Sequence, residues 1–372
     1  MTTYAKGLEG VIAGETAVSV INEAAGGLRY YGYGLKDLTE NATFAEVAYL
    51  LLYKKLPNSA ELADYRKTLL GLRSLPPQIC TILENLPKDA HPMDVLRTST
   101  SALGCLEPEG PGRDALAVAN RLFASFASCL LYWWHFHRDG KRIDTAGGDD
   151  SIAGHFLHAL HGKAPDETHR RALDISLILY AEHEFNASTF TARVITSTLA
   201  DFYGAITGAI AALRGPLHGG ANEAAMELIE RYRTPEEAEA GILDSLAKKE
   251  KIMGFGHRVY KHSDPRSDVI KAWAKKLADM SDEGKRQFAV AERIEQVMRR
   301  EKNLFPNLDF YSAIVYNRCG IPTPLFTPLF VMSRVTGWSA HIMEQRIGNR
   351  IIRPSSLYTG VEAAEFVRIE QR

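Results

Sequence analysis

Several things are scarce in this 372-residue chain, and each shortage narrows its function. The four cysteines, Cys80, Cys105, Cys129 and Cys319, lie far apart with no Cys-x-x-Cys. That spacing argues against a disulfide framework and favours a reducing cytoplasm. Neither charge sign is in excess, for 44 Lys+Arg against 45 Asp+Glu leave a formal net charge of −1. No global field therefore recruits nucleic acid or an anionic membrane, and neither is expected as a partner. Long hydrophobic runs are missing. The longest, Leu122 to Phe136, is broken by Ser125 and Ser128 and is too short to span a bilayer, so a central buried helix is expected there. The opening Met1-Thr2-Thr3-Tyr4-Ala5-Lys6 lacks a basic-then-apolar pattern, so no leader is expected. Period-two alternation is rare; only Leu8 to Tyr33 looks partly strand-like. There is no Walker loop and no repeat or low-complexity tract.

Helix punctuation, by contrast, recurs. Thr43-Phe44-Ala45-Glu46 matches a capping box, opening a helix through Leu52 that stops before Pro57. Asn58 with Glu61 repeats the signal, and Pro76-Pro77 closes that helix. Thr234-Pro235-Glu236-Glu237 offers an N-cap, a proline at the first helical position and acids in the first turn. Val290, Ile294, Val297 and Met298 share one helical face. The chain reads as mainly α. Leu106 to Gly112 and Asp139 to Asp150 are polar, Gly-rich surface connections. Gly215–Gly220 and Gly320–Pro324 bracket about a hundred residues, a plausible domain size. The expected architecture is a large helical domain, 1–218 with 321–372, and an inserted smaller helical domain, 219–320, that closes over a cleft and excludes water.

Three dense polar segments fall in the second half: Gly215-Pro216-Leu217-His218-Gly219-Gly220, Met253-Gly254-Phe255-Gly256-His257-Arg258 and Phe305-Pro306-Asn307-Leu308-Asp309. A carboxylate, two imidazoles and several guanidiniums suit removal of a proton beside a carbonyl while a dicarboxylate is held. Asp309, among Leu308, Phe310 and Tyr311, loses solvation and gains basicity, as a general base requires. Equally, it could cap a helix starting near Phe310. His218 and His257 stand beside glycines, where backbone approaches a ligand closely; a turn histidine bonded to a nearby carbonyl is the plainer alternative. Arg266 follows Asp264-Pro265 in a rigid turn. Arg334, in the apolar run Leu329 to Val335, needs an anion, either a structural carboxylate or a ligand.

Lys248-Lys249-Glu250-Lys251, with Arg258 and Lys261, reads either as a solvated helix C-terminus or as a set of phosphate contacts. Gly254-Phe255-Gly256 lacks the preceding strand and third glycine of a dinucleotide fingerprint. His155, His158 and His161 recur every three residues, but an amphipathic helix rim explains them better than a metal. Glu182-His183-Glu184 lacks the second histidine of a zinc-protease helix. No metal is expected.

These segments resemble the citrate synthase superfamily, on a set that runs across nearly the whole chain. It begins at Gly10-Val11-Ile12-Ala13-Gly14-Glu15-Thr16-Ala17 and passes through His183-Glu184-Phe185-Asn186-Ala187-Ser188-Thr189. It takes in the three polar segments with Asp264-Pro265-Arg266, and ends with Ser333-Arg334 and Ile352-Arg353-Pro354-Ser355. Within the family, His91 to Thr98, Leu131 to His135, Asp149 to His158 and Trp338 to Gln345 are similar to the 2-methylcitrate synthase branch. Tyr31-Gly32-Tyr33-Gly34 departs from the usual Arg-Gly-Tyr-Asp. His257-Arg258-Val259-Tyr260-Lys261 is closer to bacterial citrate synthases, so acetyl-CoA remains an alternative acyl donor.

The resemblance implies a two-domain citrate synthase-like fold and condensation of propionyl-CoA with oxaloacetate and water, giving 2-methylcitrate and CoA. It implies that Asp309 removes the α-proton, His218 hydrogen-bonds the thioester oxygen and His257 protonates the ketone oxygen. His183, Arg266, Arg334 and Arg353 would hold oxaloacetate, with Arg353 supplied by the other subunit of a homodimer. Lys251, Ile252, Met253, Gly254, Phe255, Gly256, Arg258 and Lys261 would receive CoA, a substrate rather than a resident cofactor. Tyr180 and Leu308 would shape the acyl pocket. A non-catalytic helical scaffold and a metal-dependent hydrolase are the rival classes.

Overall fold

The computed structural model describes residues 4–22, 27–361 and 363–372. Residues 1–3, part of the opening stretch read for a leader, and 23–26, inside the strand-like segment, lie outside the described residues. Sixteen α-helices, three short 3-10 helices and one small three-stranded sheet make up the regular structure of the described residues, a mainly α chain.

Local chemistry sets the helix starts. The Glu46 carboxylate reaches back to the Thr43 backbone N–H at 2.7 Å, opening Phe44–Tyr53. Asn58 and Glu61 exchange bonds of 2.9 Å each, opening Ser59–Gly71. The proline pair does not end that helix, which stops at Gly71; Pro77 instead opens the next one, Pro77–Asn85. A proline ring suits the first helical position because the missing N–H has no partner there. Thr234 caps Pro235–Ala247, its hydroxyl accepting the Glu237 N–H at 3.2 Å. Val290, Ile294, Val297 and Met298 are all buried along one face of Asp282–Lys302.

The long apolar run lies within a 25-residue helix, Ala115–Asp139, started by Asp114, whose side chain accepts the Ala117 N–H. By length and apolarity this helix is sufficient to cross a bilayer, which corrects the expectation drawn from the run alone. What fixes its place is burial: 83% of its most apolar window is inside the protein. It packs against helices Pro77–Asn85, Pro92–Leu106, Ile152–His161 and Phe326–Arg346. The last of these is buried on all sides from Phe326 through Ile342, a core helix that also carries Arg334 and His341 inside.

The sheet is antiparallel, Ser19–Asn22 against Gly27–Tyr30 and then Tyr33–Gly34, with Ser19 opposite Tyr30. It has a positioning role. Fully buried Tyr30 donates toward the carbonyls of Ile178 and Glu182, both at 3.1 Å, and so seats the turn that carries His183. The His155 row needs correction: His158 and His161 lie toward the rim, whereas His155 is fully buried between Ser128 Oγ and the Gly147 carbonyl.

Candidate active site

Helix Glu167–Tyr180 ends where the chain turns through Ala181, Glu182 and His183. Glu184 adopts a left-handed φ of 50°, and Asn186 then caps the helix Ala187–Ser197 by accepting the Thr189 N–H at 3.1 Å. The two glutamates flanking His183 are committed to the scaffold. Glu182 accepts from Ser19 Oγ at 3.0 Å and pairs with His341 Nε2 at 2.8 Å, while Glu184 accepts the Ile21 N–H at 2.6 Å. His183 is left to face the cavity beside Tyr260, whose hydroxyl is 3.2 Å from Nε2. Burial, then Arg266, hold its pKa well below the ordinary histidine value.

His218 sits on the turn between helices Phe202–Leu213 and Ala221–Glu230. Gly219 makes that turn possible, because a Cβ there would fall 2.3 Å from the Leu213 carbonyl oxygen. His218 Nε2 faces the first turn of Ala187–Ser197, accepting the Ser188 backbone N–H at 3.2 Å with Ser188 Oγ at 2.9 Å. A backbone N–H only donates, so Nε2 is the unprotonated nitrogen and Nδ1 carries the hydrogen. Burial, then Arg334, lower the pKa to about 4, so the ring is neutral at pH 7.

His257 shows the opposite tautomer. Its Nδ1 accepts the N–H groups of Val259 at 3.1 Å and Tyr260 at 3.4 Å, leaving the hydrogen on Nε2. The Arg266 Nη2 contact with Nε2, at 3.5 Å, is too long to reverse that assignment. Burial, then Arg266, bring this imidazole to about 4 as well. Arg266 opens helix Pro265–Ala278 beneath it, gripped through Nε at 2.9 Å and Nη2 at 2.8 Å by the carboxylate of Asp264.

Asp309 is not a helix cap. Asn307 takes that place, accepting the Asp309 N–H at 3.1 Å, and the helix runs Leu308–Arg318 with Asp309 in its first turn. Burial raises its carboxyl to about 6, against the lowering effects of a Tyr180 hydrogen bond and Arg266. Tyr180, the last residue of its helix, donates to Oδ1 at 2.5 Å.

Arg334 has little to hold it within the protein. Its one hydrogen bond among the described residues runs from Nε to the Tyr180 carbonyl at 2.7 Å, and Phe330 stacks 4.6 Å from its carbon centre. Among the described residues no carboxylate pairs with it; Glu182 acts only from a distance. Burial, opposed first by Glu182, lowers this guanidinium to about 10. A buried cation at a cavity wall is chemically suited to hold an anion.

These groups share one cavity of about 670 Å³. Tyr180, His183, His218, His257, Arg266, Leu308, Asp309 and Arg334 line it, and so does the 251–258 stretch, which brings Lys251, Ile252, Met253, Gly254, Phe255, Gly256 and Arg258. Two candidates stand outside it. Lys261 is exposed and leans toward the Arg258 carbonyl, and Arg353 lies in an exposed stretch after the last long helix. Residue types alone did not single out Ser188, Asp264 and Tyr260, although the Asp-Pro helix start and the Asn186 cap mark the first two.

The family model described as "Citrate synthase, C-terminal domain" matches residues 7–355, so this chain belongs to the citrate synthase family. It is 55% identical over 367 residues to a 2-methylcitrate synthase of Shewanella oneidensis, covering 98% of this chain and 97% of that one. It is 44% identical to citrate synthase 2 of Bacillus subtilis, covering the whole of both chains. In structure it is similar to the citrate synthase of Thermoplasma acidophilum in ternary complex with carboxymethyl coenzyme A and oxaloacetate. That match has a TM-score of 0.92 and 33% identity, over 100% of both chains.

Proposed function

We propose that this protein is an acyltransferase that condenses propionyl-CoA with oxaloacetate and water, releasing 2-methylcitrate and CoA. The observation that carries the reading is the pair of opposed tautomers. His218 presents Nδ1–H and His257 presents Nε2–H beside a carboxyl held at about 6. Asp309 takes the α-proton of the thioester. His218 donates to the thioester oxygen as negative charge develops there, and one such preorganised donor is worth about 3–4 kcal/mol. The α-carbon attacks the ketone carbon of oxaloacetate while His257 gives its Nε2 proton to the ketone oxygen. Water then cleaves the thioester, freeing CoA and the new carboxylate.

Arg334, Arg266 and His183 hold the oxaloacetate carboxylates, and the 251–258 backbone with Arg258 and Lys261 receives CoA. Arg353 completes the site from a second copy in a homodimer. Support comes from the stretch around it, which exposes Ile347, Ile351, Leu357, Tyr358 and Phe366; so much apolar surface calls for cover. Residues 219–320 close as a smaller domain on 1–218 and 321–372, about Gly219 and Gly320. Free cysteines throughout agree with a cytoplasmic location.

Preference for propionyl-CoA rests on the relatives that share the name 2-methylcitrate synthase. The 44% identity to a citrate synthase supports acetyl-CoA as a slower substrate. A single methylene is worth only about 1–3 kcal/mol in an apolar pocket, so both are used. Release of CoA thiol from each donor at saturating oxaloacetate tests this. Higher kcat/KM for propionyl-CoA is expected; the reverse order would make the protein a citrate synthase in function.

A further inference from the structure

The short bond between Tyr180 and Asp309 joins distant parts of the chain. Tyr180 ends Glu167–Tyr180, and Asp309 lies in the first turn of Leu308–Arg318, so 129 residues separate them. The two helices pack together, and a second polar link fixes their alignment: Ser176 Oγ and Tyr316 OH are 2.7 Å apart in the core. Tyr180 is fully buried against Phe330, so its ring has no freedom to swing away. Its hydroxyl is committed to Oδ1 of the carboxylate at 2.5 Å.

We propose that Tyr180 is a positioning residue for proton abstraction, anchoring Oδ1 of Asp309 so that Oδ2 alone meets the acyl α-carbon. This rests on the reading of Asp309 as the base, and it gives Tyr180 a task distinct from walling the acyl pocket. A carboxylate held at one oxygen keeps its plane and offers the other as a fixed acceptor, the geometry an α-proton requires. The bond is made to the ionised form, so it also sets how readily the base exists as a carboxylate. The other charged groups facing Asp309 are Arg266 and Asp264 from the start of Pro265–Ala278, and Arg334 from Phe326–Arg346. All remain when the phenol oxygen is removed. The neighbouring imidazoles are neutral well below the range concerned, so an acid limb near 6 reports the carboxyl.

The test is the pH dependence of kcat/KM for propionyl-CoA at saturating oxaloacetate. In Tyr180→Phe the acid limb should move up by roughly one to two pH units, the worth of one bond to an ionised group. Tyr316→Phe removes the Ser176 link between the same helices and should leave the limb in place. If Tyr180→Phe does not fold, site-specific 3-fluorotyrosine at position 180, a stronger donor of nearly the same shape, should move the limb down. An unmoved limb in Tyr180→Phe, an equal shift in Tyr316→Phe, or an unmoved or raised limb with fluorotyrosine would overturn the proposal. A change confined to the propionyl-to-acetyl ratio would leave Tyr180 as pocket wall only. Asp309→Asn separates the two levels: retained CoA release would sink the reading of the base itself, whereas its loss alongside an unmoved Tyr180→Phe limb sinks only this inference.

Discussion

His218 and Ser188 meet through a bond whose direction has one reading: the backbone N–H of Ser188 donates to Nε2 at 3.2 Å. Because the donor is backbone, side-chain substitution at Ser188 leaves it in place. The Ser188 hydroxyl adds a contact of 2.9 Å to the same nitrogen and also accepts the indole N–H of fully buried Trp338 at 3.1 Å. Ser188→Ala should therefore cost about 1–3 kcal/mol of stability by orphaning that indole, with kcat reduced less than about tenfold. His218→Ala should lower kcat by about 10²–10³. Urea denaturation and CoA-release assays on both variants measure the split. Equal losses of activity would contradict it.

Asp264 serves two elements at once. Besides gripping the Arg266 side chain, it accepts the backbone N–H groups of Arg266 at 3.0 Å and Leu308 at 3.1 Å. The carboxylate thus ties the start of the Asp309 helix to the start of the Arg266 helix. Asp264→Asn would leave a buried guanidinium uncompensated and should cost about 3–5 kcal/mol. Measured by chemical denaturation, the loss should come with a raised KM for oxaloacetate. A stable variant with normal KM would show that the pair is dispensable.

Much of this was legible in the sequence, for physical reasons that differ by residue. Caps such as Asn58 and Thr234 act over three or four residues, so their bonds can be read off the chain. Asp309 and Arg334 declared themselves as charges among apolar neighbours. Which carboxylate served Arg334 could not be read, because its surroundings, with none paired to it among the described residues, depend on a helix 154 residues away. The two tautomers were equally hidden, since each is set by a folded backbone: Ser188 for His218, Val259 and Tyr260 for His257. Asp309 misled in part because Asn307, two residues earlier, was the better cap.

Acid should destabilise this protein. His218 and His257 are held at about 4 against an ordinary 6.5, so between those values the unfolded chain binds more protons. Their contribution to stability rises with pH through that window and is lost on acidification. His155, lowered mainly by burial to about 3, and His183 add in the same direction. Asp309 and Asp174 oppose them: raised mainly by burial from 3.8 to about 6, they bind more protons when folded, so their contribution falls as pH rises between those values. Glu184 and Asp268, also raised mainly by burial, oppose as well, while Glu84, Glu109 and Glu239, lowered by hydrogen bonds from arginines, add to the rise at the acid end and leave it positive. Urea midpoints should increase from about pH 4.5 to about pH 6.5, and a flat or falling curve would refute the balance.

Arg334 offers the sharpest separation of stability from binding. Folding buries its charge with no carboxylate paired to it among the described residues, a burden on the empty protein that the pull of burial on its pKa reflects. Arg334→Met removes that charge and fills similar volume, giving up the bond to the Tyr180 carbonyl and the stacking on Phe330. Those losses are each about 1 kcal/mol, so the unliganded variant should be within about 1 kcal/mol of the parent. Oxaloacetate would then lose its buried cation, a partner worth about 2–5 kcal/mol. Its dissociation constant by calorimetry should rise by at least about thirtyfold, and the thermal stabilisation that a given oxaloacetate concentration confers should shrink accordingly. If Arg334→Met bound oxaloacetate normally, or collapsed without it, the guanidinium would have to be reassigned from ligand receptor to structural element.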